Sequence, residues 1–125
     1  MTGIGGATDG PRARSFVSFD ILGARSHAGK GPEKVSGIEG IVLRKITAPI
    51  PACPVAFDHK WKHLKGLNLA DPKFGVPGPI NVLLGADVFG RIIRHGRRRG
   101  SHSSPAALET HFGWVLAGNV RPEQP

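Results

Sequence analysis

The chain has 125 residues, with 17 Lys or Arg against 9 Asp or Glu, and its formal net charge is +8. This length fits one small domain or part of one, and 18 Gly with 11 Pro exclude long helical bundles and coiled coils. No apolar run approaches the roughly 18 residues of a membrane span. The single cysteine, Cys53, excludes an internal disulfide, and no leader sequence is visible. We therefore expect an intracellular, cytoplasmic protein without membrane contact.

The first part of the chain has the pattern of two strands. Residues 1–10 are rich in glycine, which predicts a tight hairpin tip. Residues 15–22 alternate with a period of two and predict a strand, and residues 38–46, rich in β-branched side chains, predict a second one. The polar stretch 23–36 between them predicts a loop or a wide hairpin turn. The prolines that follow residue 46 end any further ladder.

A short helix and a strand are predicted next. Asp58 is suited to cap a helix of about two turns, which carries Trp61 on its apolar face and ends at Gly66. Residues 79–85 (PINVLLG) alternate apolar and other side chains, and they form the most regular strand pattern in the chain.

A second short helix and a final strand pair complete the prediction. Asp87 is placed to cap a helix that runs into an arginine-rich loop at residues 91–99. Residues 110–118 predict a strand pair interrupted at Gly113, and residues 121–125 predict a loose tail. The chain is therefore predicted to be one mostly β domain over residues 1–120 with two short helices.

The positive charge is concentrated in one segment. Five arginines lie within nine residues: Arg91, Arg94, Arg97, Arg98 and Arg99. Lys and Arg bind phosphates by releasing condensed counterions, but the chain has no Tyr and only 6% aromatic residues for base stacking. A solvated loop and a nucleic-acid-binding loop through Arg94, Arg97, Arg98 and Arg99 both remain open.

No metal or cofactor site is expected. His59 and His63 lie four residues apart and could reach one metal on a helix, but no third ligand accompanies them, which favours solvent-facing histidines. Neither Cys53 nor the Ser103–Ser104 pair has a neighbouring base that would activate it as a nucleophile.

Three stretches together resemble a known family. They contain the strings LADPKF, LLGADVF and FGWVLAG, within residues 61–74, 79–89 and 105–118. Their order and spacing resemble the aspartic peptidase domain of Bel/Pao-type retrotransposon polyproteins. Residues Gly3, Ile4, Gly5 and Gly6 are similar to the glycine-rich flap of that family.

This resemblance implies a retropepsin-like fold, in which a small β-barrel dimerises and each subunit gives one aspartate from an Asp-Ser/Thr-Gly motif. Two such carboxylates share a proton and activate water against a peptide bond of a polyprotein substrate. In such folds the hydrophobic-hydrophobic-Gly element, here Leu83, Leu84 and Gly85 with Asp87 nearby, supports the active-site loop and is not catalytic.

The sequence departs from the family at the catalytic motif. No Asp-Ser-Gly or Asp-Thr-Gly occurs in the chain, and Thr8-Asp9-Gly10 has the order reversed. We therefore expect the flap-to-C-terminus part of a retropepsin-like barrel, with no catalytic residue of its own and no proteolytic activity as given. Nucleic-acid binding through residues 91–99 is the alternative function, and a chain without present function is a third interpretation.

Overall fold

The computed structural model describes residues 15–26 and 32–120, which form two small antiparallel sheets and one short α-helix. A two-stranded sheet pairs β1 with β2, and a three-stranded sheet has the order β3-β4-β5. The expected mostly β fold is confirmed, but no closed barrel is formed by the described residues. The elements are β1 (Ser15–Ser26), β2 (Pro32–Val42), a one-turn 3-10 helix (Lys62–Leu64), α1 (Ala86–Ile92), β3 (Ile93–Arg98), β4 (Ala106–Thr110) and β5 (Gly113–Ala117).

Strands β1 and β2 form a long hairpin that begins where the alternation predicts. Phe19 pairs with Ile38 and Ile21 with Val35, so two residues of β2 lie opposite Asp20 and β2 has one extra residue there. The hairpin continues through most of the polar stretch that was predicted as a loop, although residues 27–31 lie outside the described part. That prediction was too broad because backbone pairing, rather than apolar content, extends the two strands.

One face of this hairpin packs on α1. We call the buried residues of this contact the hairpin core: Val35, Ile38, Val88 and Ile92. Phe19 and Ile21 pack against it as the alternation predicts, whereas Val17, expected on the same face, is 39% exposed and does not join the core. Burial of these side chains away from water is what holds the hairpin to the helix.

The predicted helix from Asp58 to Gly66 is wrong, because only Lys62–Leu64 is helical, as a single 3-10 turn. Asp58 instead folds the chain locally: its Oδ1 accepts from the Lys60 amide at 2.9 Å, and its carbonyl accepts from the Trp61 amide at 2.9 Å. Such local side-chain hydrogen bonds compete with helix formation. Gly66 does have the positive φ, 80°, that the sequence predicts for it.

The predicted strand at residues 79–85 is also wrong. An isolated bridge joins Ile50 and Gly78 immediately before it, but the described residues provide no strand that pairs with residues 79–84. Its alternation survives only in burial, since Ile80 and Leu84 are half-buried while Val82 is exposed. A strand needs a partner backbone as well as alternating side chains.

Helix α1 follows at the predicted place, but its start differs from the prediction. Gly85 is the N-cap, and Asp87 lies inside the first turn, where its carboxylate complements the helix dipole. The expected capping role of Asp87 is therefore wrong. The arginine segment is not a loop either, because α1 leads directly into β3, whose pairing with β4 fixes its backbone.

A second group of buried residues packs at the three-stranded sheet, and we call it the C-terminal core: Trp61, Leu64 and Ala107. The last hairpin is formed by β4 and β5, so its first strand precedes Thr110 instead of following it as predicted. Thr110 makes the turn, since its Oγ1 donates to the Gly113 carbonyl at 2.7 Å and accepts from the Phe112 amide at 3.1 Å. The predicted tail at residues 121–125 lies outside the described part.

No helix among residues 15–26 and 32–120 has the length and apolarity needed to cross a membrane.

Candidate functional site

The structure brings two of the three resembling stretches into direct backbone contact. Leu69 and Trp114 form a parallel bridge. Within it, the Ala70 amide donates to the Trp114 carbonyl at 2.8 Å, and the Trp114 amide donates to the Asn68 carbonyl at 2.9 Å. The segment that contains LADPKF is thus attached to the outer side of β5, which contains GWVLA.

Gly113 is the residue that permits this contact. Its φ is 120°, and a Cβ at this position would lie 2.8 Å from the Asn68 carbonyl oxygen and 2.9 Å from the Ala70 amide nitrogen. Both atoms belong to backbone and cannot turn aside. A glycine in the FGWVLAG string therefore has a physical role, which is to let the chain before LADPKF approach β5.

The third stretch contributes to the hairpin core and not to the C-terminal core. Leu84 packs against the hairpin core, whereas Leu83 is 53% exposed. The far end of α1 is tied to the β4–β5 turn, because the His111 amide donates to the Ile92 carbonyl at 2.9 Å and Phe112 packs on the hairpin core. The predicted support residues Leu83, Leu84, Gly85 and Asp87 thus lie where an irregular segment leads into the first turn of α1, and we call them the Leu-Leu-Gly junction.

Asp20 is the described carboxyl group with a resolved change of acidity, and it lies in the hairpin. Its pKa is lowered from 3.8 because the Gly37 amide donates to Oδ1 at 3.0 Å and the Lys34 ammonium lies 3.5 Å from Oδ2. Two carboxylates that share one proton would instead raise the pKa of one of them. The Asp20 arrangement is structural, since it satisfies an amide at an irregular point of the hairpin.

The two histidines considered as metal ligands point to different partners. His63 Nε2 forms a hydrogen bond of 2.8 Å with the Pro105 carbonyl, while His59 is exposed and its Nδ1 lies 3.8 Å from Asp58 Oδ1. Within the described ranges no group of three or more His, Cys, Asp or Glu could hold a metal ion. Cys53 is an exposed free thiol.

The predicted flap residues Gly3, Ile4, Gly5 and Gly6 lie outside the described residues. The predicted basic residues are described, and Arg94, Arg97 and Arg98 belong to β3 while Arg99 follows it. The Arg98 guanidinium lies over the Trp114 ring, 5.7 Å from its centroid. Sequence reasoning missed this pairing, because only strand register brings the two residues together.

Comparison with known proteins returned no matching family model, no matching curated protein and no matching solved structure.

Proposed function

We propose that this chain is the scaffold portion of a retropepsin-like aspartic peptidase domain from a Bel/Pao-type retrotransposon polyprotein, without hydrolytic activity of its own. Its residues would hold the active-site loop and a peptide substrate, and the pair of aspartates would come from residues that this sequence does not contain. Peptide hydrolysis of this type needs two carboxylates that share a proton, and Asp-Ser/Thr-Gly is absent here.

One observation carries the proposal: residues 79–85 have the side-chain pattern of a strand and no strand partner among the described residues. No described strand pairs with their backbone, and Val82 and Leu83 are about half exposed. Strand edges and apolar side chains in this state favour pairing with another segment. A barrel that lacks its aspartate-bearing strands would leave such an edge beside its Leu-Leu-Gly element.

The β1–β2 hairpin also has exposed apolar side chains that no described strand covers. Phe16 is 83% exposed at the start of β1, and Ile41 and Val42 are exposed opposite it at the end of β2. A two-stranded sheet is marginally stable without further strands or a helix to cover it. Within the described ranges, the hairpin is covered on the face that packs against α1, Leu84 and Phe112. Its exposed apolar side chains support the idea that further strands complete this unit, either from another segment or from a second copy in a homodimer.

The experiment that tests the proposal supplies the absent part. The chain is joined to an upstream peptidase segment that contains Asp-Ser/Thr-Gly, and cleavage of peptides is measured at mildly acidic pH with and without pepstatin. We expect pepstatin-sensitive cleavage, which is lost when the motif aspartate is replaced by Asn, and no cleavage by the chain alone. A folded fusion that cleaves nothing contradicts the proposal.

Hydrogen exchange gives an independent readout of the same fusion. In the chain alone, the amides of residues 80–84 should exchange fast while those of β4 and β5 are protected. In the fusion, residues 80–84 should become protected because they acquire a strand partner. Exchange at residues 80–84 that is equally fast in both proteins would contradict the proposed completion of the barrel.

A further inference from the structure

Three consecutive arginines lie at an open sheet edge: the last two residues of β3 and the residue that follows it. Strand β3 is the outer strand of the order β3-β4-β5, so one of its backbone edges is not covered by a neighbouring strand of that sheet. We use the name arginine edge for Arg97, Arg98 and Arg99, whose side chains are exposed. Proteins commonly place positive charge on such edges, where it discourages pairing with another strand.

Strand register distributes these charges around the edge. Arg97 pairs with Leu108 and Arg98 with Ala107, so the two consecutive side chains stand on opposite faces of the sheet. Arg99 follows at the end of the strand. The guanidinium groups therefore surround one corner of the sheet, and a rod-shaped polyanion that passes this corner could meet all three.

One of these arginines is held in place. The Arg98 guanidinium lies over the Trp114 ring, and that ring is half-buried against the C-terminal core. A cation over an indole face is stabilised by the ring quadrupole. This contact favours a position of the Arg98 side chain beside the ring, and its planar fork remains suited to bidentate contact with phosphate oxygens.

Among the described residues, no acidic group forms an ion pair with the arginine edge. The nearest carboxylate in the sheet, that of Glu109, accepts a hydrogen bond from the Gly96 amide at 3.0 Å. The Lys34–Asp20 ion pair and the His59–Asp58 contact lie elsewhere in the described residues. With a net charge of +8 on the whole chain, the field at this corner favours polyanions.

We propose that the arginine edge, with Trp114 behind it, binds the phosphodiester backbone of nucleic acid without reading base sequence. Guanidinium groups contact phosphates and release condensed counterions, which makes the affinity strongly dependent on salt. We do not expect bases to stack on Trp114, because the Arg98 guanidinium already lies over its ring. The site is separate from the Leu-Leu-Gly junction, and it does not depend on peptidase ancestry.

The test measures binding of the full chain to labelled DNA and RNA, single-stranded and duplex, by fluorescence anisotropy between about 50 and 200 mM salt. Arg97→Ala, Arg98→Ala and Arg99→Ala are combined in one variant. The matched control combines Arg44→Ala, Lys45→Ala and Lys73→Ala, which removes the same charge from exposed positions elsewhere. Circular dichroism checks that both variants fold as the parent does.

We expect the arginine variant to reduce the slope of log affinity against log salt by about 2 to 3, and the control variant by less than about 1. Replacing the three arginines by lysine should retain most of the slope because the charge is kept. Equal losses in the arginine and control variants would overturn the proposal, as would a parent chain that binds anionic vesicles or heparin but no nucleic acid.

Tryptophan emission locates the bound phosphate. If nucleic acid binds at Arg98, the guanidinium contact with Trp114 changes, and the emission of the parent chain should shift on binding. Trp114→Phe should abolish this shift, because the remaining indole, Trp61, is buried. A shift that survives in Trp114→Phe would place the ligand elsewhere and would overturn the assigned site. These readouts involve no proteolysis, so they succeed or fail independently of the fusion experiment.

Discussion

The amide of Gly96 donates to Glu109 Oε1 at 3.0 Å, at the point where β3 leaves regular pairing with β4. Between the pairs Ile93–Thr110 and Arg97–Leu108, β3 advances by more residues than β4, which is a bulge. The hairpin repeats the arrangement, because Asp20 Oδ1 accepts from the Gly37 amide where β2 bulges. In each sheet a carboxylate satisfies an amide that the ladder leaves without a strand partner.

Glu109→Ala should therefore destabilise the three-stranded sheet. It removes the acceptor of the Gly96 amide, and the expected loss is about 1 to 3 kcal/mol in the free energy of unfolding. Glu109→Gln keeps an acceptor oxygen and should lose less than half as much. Urea unfolding of the parent and the two variants measures the difference. Equal losses in the Ala and Gln variants would show that the charge of Glu109, and not its hydrogen bond to Gly96, stabilises the sheet.

Asp20 should make the hairpin sensitive to acid. Its pKa is lowered in the folded chain, chiefly by the Gly37 amide and further by Lys34, so its ionised form stabilises the fold above the unfolded value of about 3.9. That contribution is lost as the pH falls through the folded pKa. Asp20→Asn keeps an acceptor oxygen, and its stability should fall below that of the parent at neutral pH and approach it in strong acid.

A titration of Asp20 by NMR separates the contributions of the Gly37 amide and of Lys34 to the lowered pKa of Asp20. Lys34→Ala should leave most of the lowering of the Asp20 pKa, because the hydrogen bond from Gly37 is the larger cause. The carboxyl is exposed to solvent, so the more distant ammonium is screened. Return of the Asp20 pKa to its ordinary range in Lys34→Ala would contradict this order of causes.

Two glycine-to-alanine changes should have opposite effects on the stability of the fold. Gly113→Ala places a Cβ against the Asn68 and Ala70 backbone at a φ of 120°, and the expected cost is about 1 to 3 kcal/mol or more. Gly90→Ala lies within α1, where a Cβ meets no atom within 4 Å, and should stabilise the protein by about 0.5 to 1 kcal/mol. Thermal unfolding of both variants checks the pair, and destabilisation by Gly90→Ala would contradict it.

Sequence patterns predicted the elements that depend on local information. Residues 15–22 and α1 were placed correctly, since alternation and helical spacing are visible within a short window. Residues 79–85 and β3 were misplaced for one shared reason. A strand exists only where a partner backbone accepts and donates its hydrogen bonds, and the partner of β3 lies beyond a long turn while residues 79–84 have none in the described chain.

The candidate sites show the same division between local and distant information. The arginine cluster was visible in the sequence, but its location on an edge strand and the contact of Arg98 with Trp114 follow from the register of three strands. Asp87 was expected to cap α1 because Asp is a common N-cap. Gly85 is the N-cap instead, and Asp87 lies in the first turn. Because Asp is favoured both as an N-cap and within the first turn, the sequence alone does not distinguish the two positions.

Mutation of the exposed Leu83, just before α1, should change the stability of the chain much less than mutation of a core residue. Leu83→Ser should change the stability of the chain alone by less than about 0.5 kcal/mol, since Leu83 is 53% exposed. Leu64→Ala, at a residue 1% exposed in the C-terminal core, should cost about 2 to 5 kcal/mol. In the fusion that restores the upstream strands, Leu83→Ser should become costly, because the side chain is then covered. Val76→Ser, also exposed, is the matched control and should stay neutral in both proteins. If Leu83→Ser remains as harmless in the fusion as Val76→Ser, the Leu-Leu-Gly junction is not the surface on which those strands pack.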